Sequence, residues 1–267
     1  MRLALIQMRV LADKQANLSH ARSLLEEAAR RGARLAVLPE MFCCPYSNAC
    51  FRPYSEEEGG PVWSFLSQTA RELDLYLVGG SMPELSDGQV YNTSYVFDSL
   101  GIQIAKHRKA HLFDIDVEKG QKFRESDTLT PGNALTLFDT EFGRFGLCIC
   151  FDFRFQELAK SMADAGAQLI LVPAAFNMTT GPAHWELLFR QRAVDNQIFT
   201  AGAAPARDEE SEYVSYGNSS LVDPWGTVLA RAGAGEEIIL ADVDLTRNTA
   251  IRRQLPIRAA RRPELYL

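Results

Sequence analysis

Apolar residues along this chain recur with two spacings, one of a strand and one of a helix. The run LALIQM near the N-terminus is apolar almost throughout, as a strand buried on both faces would be. Leu18, Ala21, Leu25 and Ala28 then fall on one face of a helix read from Asp13 to Arg31, with Gly32 as its stop. RLAVLPE reads as a second strand ended by Pro39, which leaves Glu40 at a strand-to-loop junction. A helix from Pro61 to Leu73 and the strand LYLVGG follow. VYNTSYVFD and IQIAKHRK read as antiparallel strands joined by a DSLG turn, with Lys109 at the end of the second. From Ala110 to Asn133 the periodicity lapses and a long loop is expected, of a length that is usually functional or disordered. ALTLFDT and RFGLCIC resume the strand pattern. A helix from about Phe155 to Ala165, the strand QLILVPA, a helix from about His184 to Asn196 and the strand IFTAGAA give the β-α-β-α alternation of a layered α/β fold. GNSSLVD, TVLARAG and EIILADVDL complete the sheets. No linker, low-complexity tract or short repeat interrupts the pattern, so residues 1–267 read as one domain.

Composition narrows the function. A hydrophobic share of 46% and a charged share of 23% are those of a soluble globular protein, and a formal net charge of -6 argues against nucleic acid as a partner. The basic end IRRQLPIRAARRPELYL, within the segment from about 246 to 267, reads as a solvated tail or a subunit contact. The N-terminal apolar run is too short for a signal peptide and no segment approaches membrane-spanning length, so no membrane partner and a cytoplasmic location are expected. Five cysteines, Cys43, Cys44, Cys50, Cys148 and Cys150, are odd in number and unevenly clustered, which points to reduced thiols rather than a disulfide framework.

GLCICFDFRFQE, residues 146–157, sets two of those thiols where strand gives way to charge. In regular strand geometry Cys148 and Cys150 would point the same way. A metal site is disfavoured, because Cys-X-Cys lacks a second Cys or His pair and His20, His107, His111 and His184 are scattered. Burial as a small hydrophobe suits Cys148. Cys150, at the strand's end before a helix start, has two readings that the spacing leaves open: another buried hydrophobe, or a nucleophile.

The segments LPEMF, HRKAHLFD and GLCICFDFRFQE, in this order and with these separations, resemble the three motifs of the nitrilase, or carbon-nitrogen hydrolase, superfamily. The similarity runs from RLALIQ to the C-terminal region, and NMTTGPAHWELLFRQRAVDNQ with HLFDID looks most like the ω-amidase branch. The resemblance implies a four-layer α-β-β-α sandwich that pairs into a homodimer. It also implies a cofactor-free cysteine amidase acting on 2-oxoglutaramate, 2-oxosuccinamate or similar ω-amides. Carried over, Glu40 is the general base, Lys109 the electrostatic partner, Cys150 the nucleophile, and Glu125 the second glutamate that steadies Lys109. Arg154 and Thr180 hold the substrate's carboxylate, with Phe151 and Phe176 lining the pocket, while His184 packs or hydrogen-bonds beneath the site. Two departures from the superfamily pattern are Gln156 for a common proline and Phe151 for a frequent tyrosine. Other outcomes within reach of the resemblance are an amidase for deaminated glutathione, an N-carbamoyl amine hydrolase, a nitrile hydrolase, or a non-catalytic binding member.

These residue types suit the chemistry. An amide carbonyl is a poor electrophile, so sulfur attack needs a base, an oxyanion-binding cation and a proton for the departing ammonia. Taken singly, Glu40 and Glu125 read as loop residues and Lys109 as a solvated strand end. Arg154 reads either as the cation for an anionic substrate or as an ion-pair partner of Asp152 or Glu157.

Overall fold

The computed structural model describes residues 1–266; Leu267 lies outside the described residues. Two sheets form the centre. In the first, β1 (Arg2–Gln7), β2 (Leu35–Val37) and β3 (Tyr76–Val78) run parallel, joined through α1 (Lys14–Arg30), α2 (Asn48–Tyr54) and α3 (Pro61–Glu72). β3 and β4 (Met82–Ser86) both pair antiparallel with the long β5 (Gln89–Phe97), which also pairs with β6 (Gln103–Arg108). A small hairpin of β7 (Asp114–Asp116) and β8 (Lys122–Arg124) stands apart. The second sheet is built from β9 (Thr136–Thr140), β10 (Gly143–Leu147), β11 (Leu169–Pro173), β12 (Phe199–Ala203), β13 (Ser220–Val222) and β14 (Val228–Arg231). Its β10, β11 and β12 are parallel, joined through α4 (Gln156–Asp164) and α5 (Gly181–Asn196). The chain then returns to the first sheet, where β15 (Glu237–Asp242) lies antiparallel to β1, and α6 (Thr246–Gln254) follows.

Strand alternation makes the layers. Leu3, Leu5, Leu35 and Val37 share one apolar cluster with Phe145, Leu147, Leu169, Leu171 and Phe199, so the two sheets face each other across it. The alternate residues Ala4, Ile6, Ala36 and Leu77 pack instead with Leu18, Ala21, Leu25 and Leu66 of α1 and α3. On the far side, Ile170 and Val172 pack with Ala159, Trp185 and Phe189 of α4 and α5. The order is therefore helix, sheet, sheet, helix, the four-layer sandwich the resemblance implies. Local chemistry sets the ends: the Asp13 side chain accepts from the Ala16 amide to cap α1, and Gly32 turns the chain at φ +85°.

Several elements differ from the sequence reading. RFGLCIC is strand only to Leu147, because the chain turns sharply at Cys150, so the thiols are not presented by regular strand geometry. The expected loop 110–133 holds the β7–β8 hairpin and a short 3-10 turn at Glu125–Asp127, elements of three residues each that are too short to register as a periodic pattern. Residues 246–266 include α6, which buries Asn248 and Ile251, and Arg258 reaches the carboxylate of Asp164 at 3.0 Å. Among the described residues no helix is long and apolar enough to cross a membrane.

Candidate active site

Three strand ends bring the expected residues together. Glu40 stands three residues beyond β2, Lys109 directly after β6, and Cys150 three residues beyond β10. Gly80, at φ +57°, lets the bend between β3 and β4 press against the Pro39 carbonyl. A Cβ there would lie 2.2 Å from that oxygen, so any side chain would displace the backbone that carries Glu40.

Lys109 is fully buried between two fully buried carboxylates. Its Nζ donates to Glu40 Oε1 and to Glu125 Oε1, each at 2.9 Å. Asn92 Nδ2 also donates to Glu40 Oε1 at 2.8 Å, and the Ala175 amide donates to Oε2 at 2.8 Å. The Phe113 amide holds Glu125 Oε2 at 2.7 Å, while the Tyr46 hydroxyl donates to its Oε1. Both glutamates are thus fixed by several donors.

Burial sets the charges. It would discharge Lys109, but the carboxylates of Glu125 and Glu40 outweigh it and hold the ammonium above its ordinary range. Burial raises the Glu40 carboxyl; Lys109 opposes and Glu125 reinforces that shift. The Cys150 thiol is pushed well above its usual range by burial and then by Glu40, with only partial relief from Lys109. At neutral pH the resting thiol is therefore protonated, so any nucleophilic role would require a base.

Cys150 itself has φ +48°, a left-handed conformation costly for a residue with a Cβ. A short 3-10 turn from Cys150 to Arg154 precedes α4, and Asp152 clasps this turn from below. Its Oδ2 accepts from the Ile149 amide at 3.1 Å and meets His107 Nε2 at 2.9 Å. Its Oδ1 accepts from the Ala110 and His111 amides at 3.1 and 2.8 Å and meets His111 Nδ1 at 2.8 Å. Although burial opposes ionisation, these donors hold the Asp152 carboxyl far below the usual range. One buried carboxylate thereby ties the loop after Lys109 to the turn carrying Cys150.

Arg154 corrects the ion-pair alternative, since Asp152 is spent on the two histidines and no carboxylate among the described residues pairs with the guanidinium. Its Nη1 donates to His184 Nδ1 at 3.0 Å, and its guanidinium lies 4.6 Å from the centre of the Phe176 ring and 5.6 Å from that of Phe151. Burial and then the charge of Arg154 keep His184 below its ordinary range, consistent with a neutral acceptor. Thr180 is buried and its hydroxyl donates to Asn177 Oδ1 at 2.9 Å. Tyr46, Asn92, Ala175 and Tyr213 complete the constellation without any signal of residue type in the sequence, and Asp152 holds the turn rather than Arg154. Among the described residues no group of three His, Cys, Asp or Glu side chains is arranged to hold a metal ion.

A buried carboxylate, ammonium and thiol at the strand ends of a four-layer sandwich define a hydrolase type that known proteins share. The carbon-nitrogen hydrolase family pattern matches residues 2–253. Over 265 residues, covering 99% of this chain and 96% of each relative, the chain is 51% identical to omega-amidase NIT2 of Bos taurus and 49% identical to that of Homo sapiens. The solved structure of Nit3 from Saccharomyces cerevisiae, a member of branch 10 of the nitrilase superfamily, superposes with TM-score 0.91 at 43% identity, covering 98% of this chain and 96% of that one. A mutant of the amidase from Nesterenkonia sp. AN1, showing Michael addition of acrylamide at the active site cysteine, aligns at TM-score 0.79 and 27% identity over 97% of this chain and 99% of that one.

The chain belongs to the carbon-nitrogen hydrolase family, within the nitrilase superfamily. It is a hydrolase of carbon–nitrogen bonds, an amidase, and of the branches it looks like the ω-amidases.

Proposed function

We propose that this protein hydrolyses small ω-amides bearing a distal carboxylate, such as 2-oxoglutaramate and 2-oxosuccinamate, through a thioester on Cys150. The observation that carries the reading is the guanidinium of Arg154, close to the candidate nucleophile, backed by the Phe176 ring and without a carboxylate partner among the described residues. In a chain of net charge -6, that cation is where an anionic substrate would be held. Thr180 adds a donor by exchanging its Asn177 partner for the same carboxylate, and Phe151 and Phe176 flank the acyl chain.

The steps follow from the charges. As Sγ bonds to the amide carbon, Glu40 takes the thiol proton and the carbonyl electron pair moves onto oxygen, which Lys109 and the Phe151 amide stabilise. Glu40 returns that proton to nitrogen as the C–N bond breaks, releasing ammonia and leaving the thioester. Water then attacks with Glu40 again as base, the C–S bond breaks, and the proton goes back to sulfur. A carboxyl raised by burial above its ordinary range is a stronger base than a free one, which suits this repeated exchange. Glu125 anchors Lys109 throughout.

Selectivity tests the reading. Leaving a positioned charge unpaired commonly costs about 2 to 5 kcal/mol, so kcat/KM for the acidic amides should exceed that of equally long neutral amides by about tenfold or more. Arg154→Ala should erase that gap while barely changing neutral substrates, and Arg154→Lys should restore part of it. Wild-type indifference to the carboxylate, in an ammonia-release screen that includes carbamoyl amines and nitriles, would replace the ω-amidase reading.

A homodimer is part of the same proposal. Leu187 on α5 is 60% exposed, Trp225 55% and Leu255 44%, and they line neighbouring clefts on the outer α5 side. Large exposed apolar side chains gathered this closely suit a protein contact. Light scattering at micromolar concentration should give twice the chain mass, and Leu187→Asp with Trp225→Ser should shift it toward one chain; a monomeric wild type would refute the pairing.

A further inference from the structure

Beside Glu40 lies an opening that the steps above do not use. A cavity of about 50 Å³ is lined by Glu40, Tyr46, Ala175, Ala206 and Tyr213, and it reaches the surface beside Asp208 and the exposed Ser211. Cys150, Lys109, Arg154 and Phe176 are not among its walls. Its inner wall is the Ala175 peptide, whose amide donates to Glu40 Oε2 at 2.8 Å and whose carbonyl accepts from the Tyr213 hydroxyl. The Tyr213 ring lies against Tyr46, with centroids 4.3 Å apart. Glu40 thus borders this cavity and also interacts with the Cys150 thiol.

Resting on the thioester reading above, we propose that this cavity is the inlet for the water that hydrolyses the acyl-enzyme. When the acyl group is bound to Cys150 and its carboxylate to Arg154, it fills the side of the site flanked by Phe151 and Phe176. Water must reach Glu40 from elsewhere. A polar cavity needs about 10–15 Å³ before it can hold a water at all, and this one, at about 50 Å³, exceeds that threshold. Glu40, the hydroxyls of Tyr46 and Ser211, and Asp208 offer the polar partners such waters need. The carboxylate of Asp208 at the outer end also disfavours entry of the anionic substrate by this route, which leaves the cavity to neutral water.

Ala206 is buried in the cavity wall and has no role in the steps proposed above. Ala206→Val puts two methyl groups into the space. The expected result is a fall in kcat of about fivefold or more with kcat/KM, which reports steps up to ammonia release, held within about twofold. Mass spectrometry of acid-quenched enzyme at steady state should show more acyl-Cys150 than in wild type. Ser211→Phe, on the exposed rim, should act in the same direction and decides the matter if Ala206→Val fails to fold. Equal losses in kcat and kcat/KM would make the cavity part of the acylation site and overturn the inlet. A wild type that forms the thioester while both variants lose it at the normal rate would overturn the inlet alone. A wild type that forms no thioester would overturn the proposed mechanism and the inlet with it.

Discussion

Cys150→Ala is expected to abolish turnover, by about 10⁴-fold or more, whereas Cys148→Ala keeps most of it. The two thiols are two residues apart yet sit in different surroundings. Cys148 is buried among Phe153, Met162 and Ala163, where its loss removes one small apolar group at a cost of about 1 kcal/mol. Cys150 stands on the left-handed turn facing Glu40 and Lys109, and both charges act on its thiol. Because burial and Glu40 hold that thiol protonated at rest, the proposed attack requires Glu40 to accept its proton. Enzyme quenched in acid during turnover should carry the acyl group on Cys150. An adduct on any other cysteine, or an active Cys150→Ala protein, would overturn the assignment.

Lys109→Met should damage stability and activity by separable amounts. Removing one partner of a buried ion pair costs about 3–5 kcal/mol, and here it leaves the carboxylates of Glu40 and Glu125 facing each other without their ammonium. Turnover should fall by about 10²-fold or more, the loss of an oxyanion-stabilising charge. The pH dependence has a definite sign. Burial already raises the folded-state pKa of Glu40, and loss of Lys109 raises it further, so the folded variant binds a proton that the unfolded chain releases. Its stability deficit should therefore be smallest at low pH and widen as pH rises through the raised value, as read by denaturant titration. Adding Glu125→Gln should return much of the stability by removing one uncompensated charge, with turnover still lost. A deficit independent of pH, or a double variant no more stable than Lys109→Met, would show that the ammonium is not what permits these carboxylates to be buried together.

Much of the architecture was legible because strand and helix patterns arise from burial on fixed faces. Leu18, Ala21, Leu25 and Ala28 lie on the buried face of α1, and the alternation along LALIQ separates the inter-sheet residues Leu3 and Leu5 from the helix-facing Ala4 and Ile6. What failed has local causes. LCIC reads as strand by polarity, yet the chain leaves β10 at Leu147 because Asp152 holds the following turn. α2 is seven residues long with Pro53 inside it, too short and too interrupted for a periodic signal. α5 begins at Gly181, earlier than the apolar pattern suggests, because its opening turn carries Gly181 and Pro182.

The site was legible in its ionisable residues and not in its fixings. Glu40, Lys109, Glu125 and Cys150 stand in recognisable motifs, and the structure brings them together. Asn92, in the middle of β5, and Ala175, just beyond β11, act through one amide group each, which no residue-type signal reveals. Tyr213 lies far along the chain in a charged segment whose composition reads as surface, yet its ring is buried against Tyr46.

The Asp152 clasp bears on any attempt to transplant this chemistry. A designer who copied Glu40, Lys109 and Cys150 onto another scaffold would copy the proposed reagents without the jig. The left-handed turn at Cys150 is held by a carboxylate that also grips the amides of Ala110 and His111, directly after Lys109. The smallest portable unit is therefore two loops, one buried aspartate and the pair His107 and His111. Any graft lacking that aspartate would let the thiol and the ammonium drift independently.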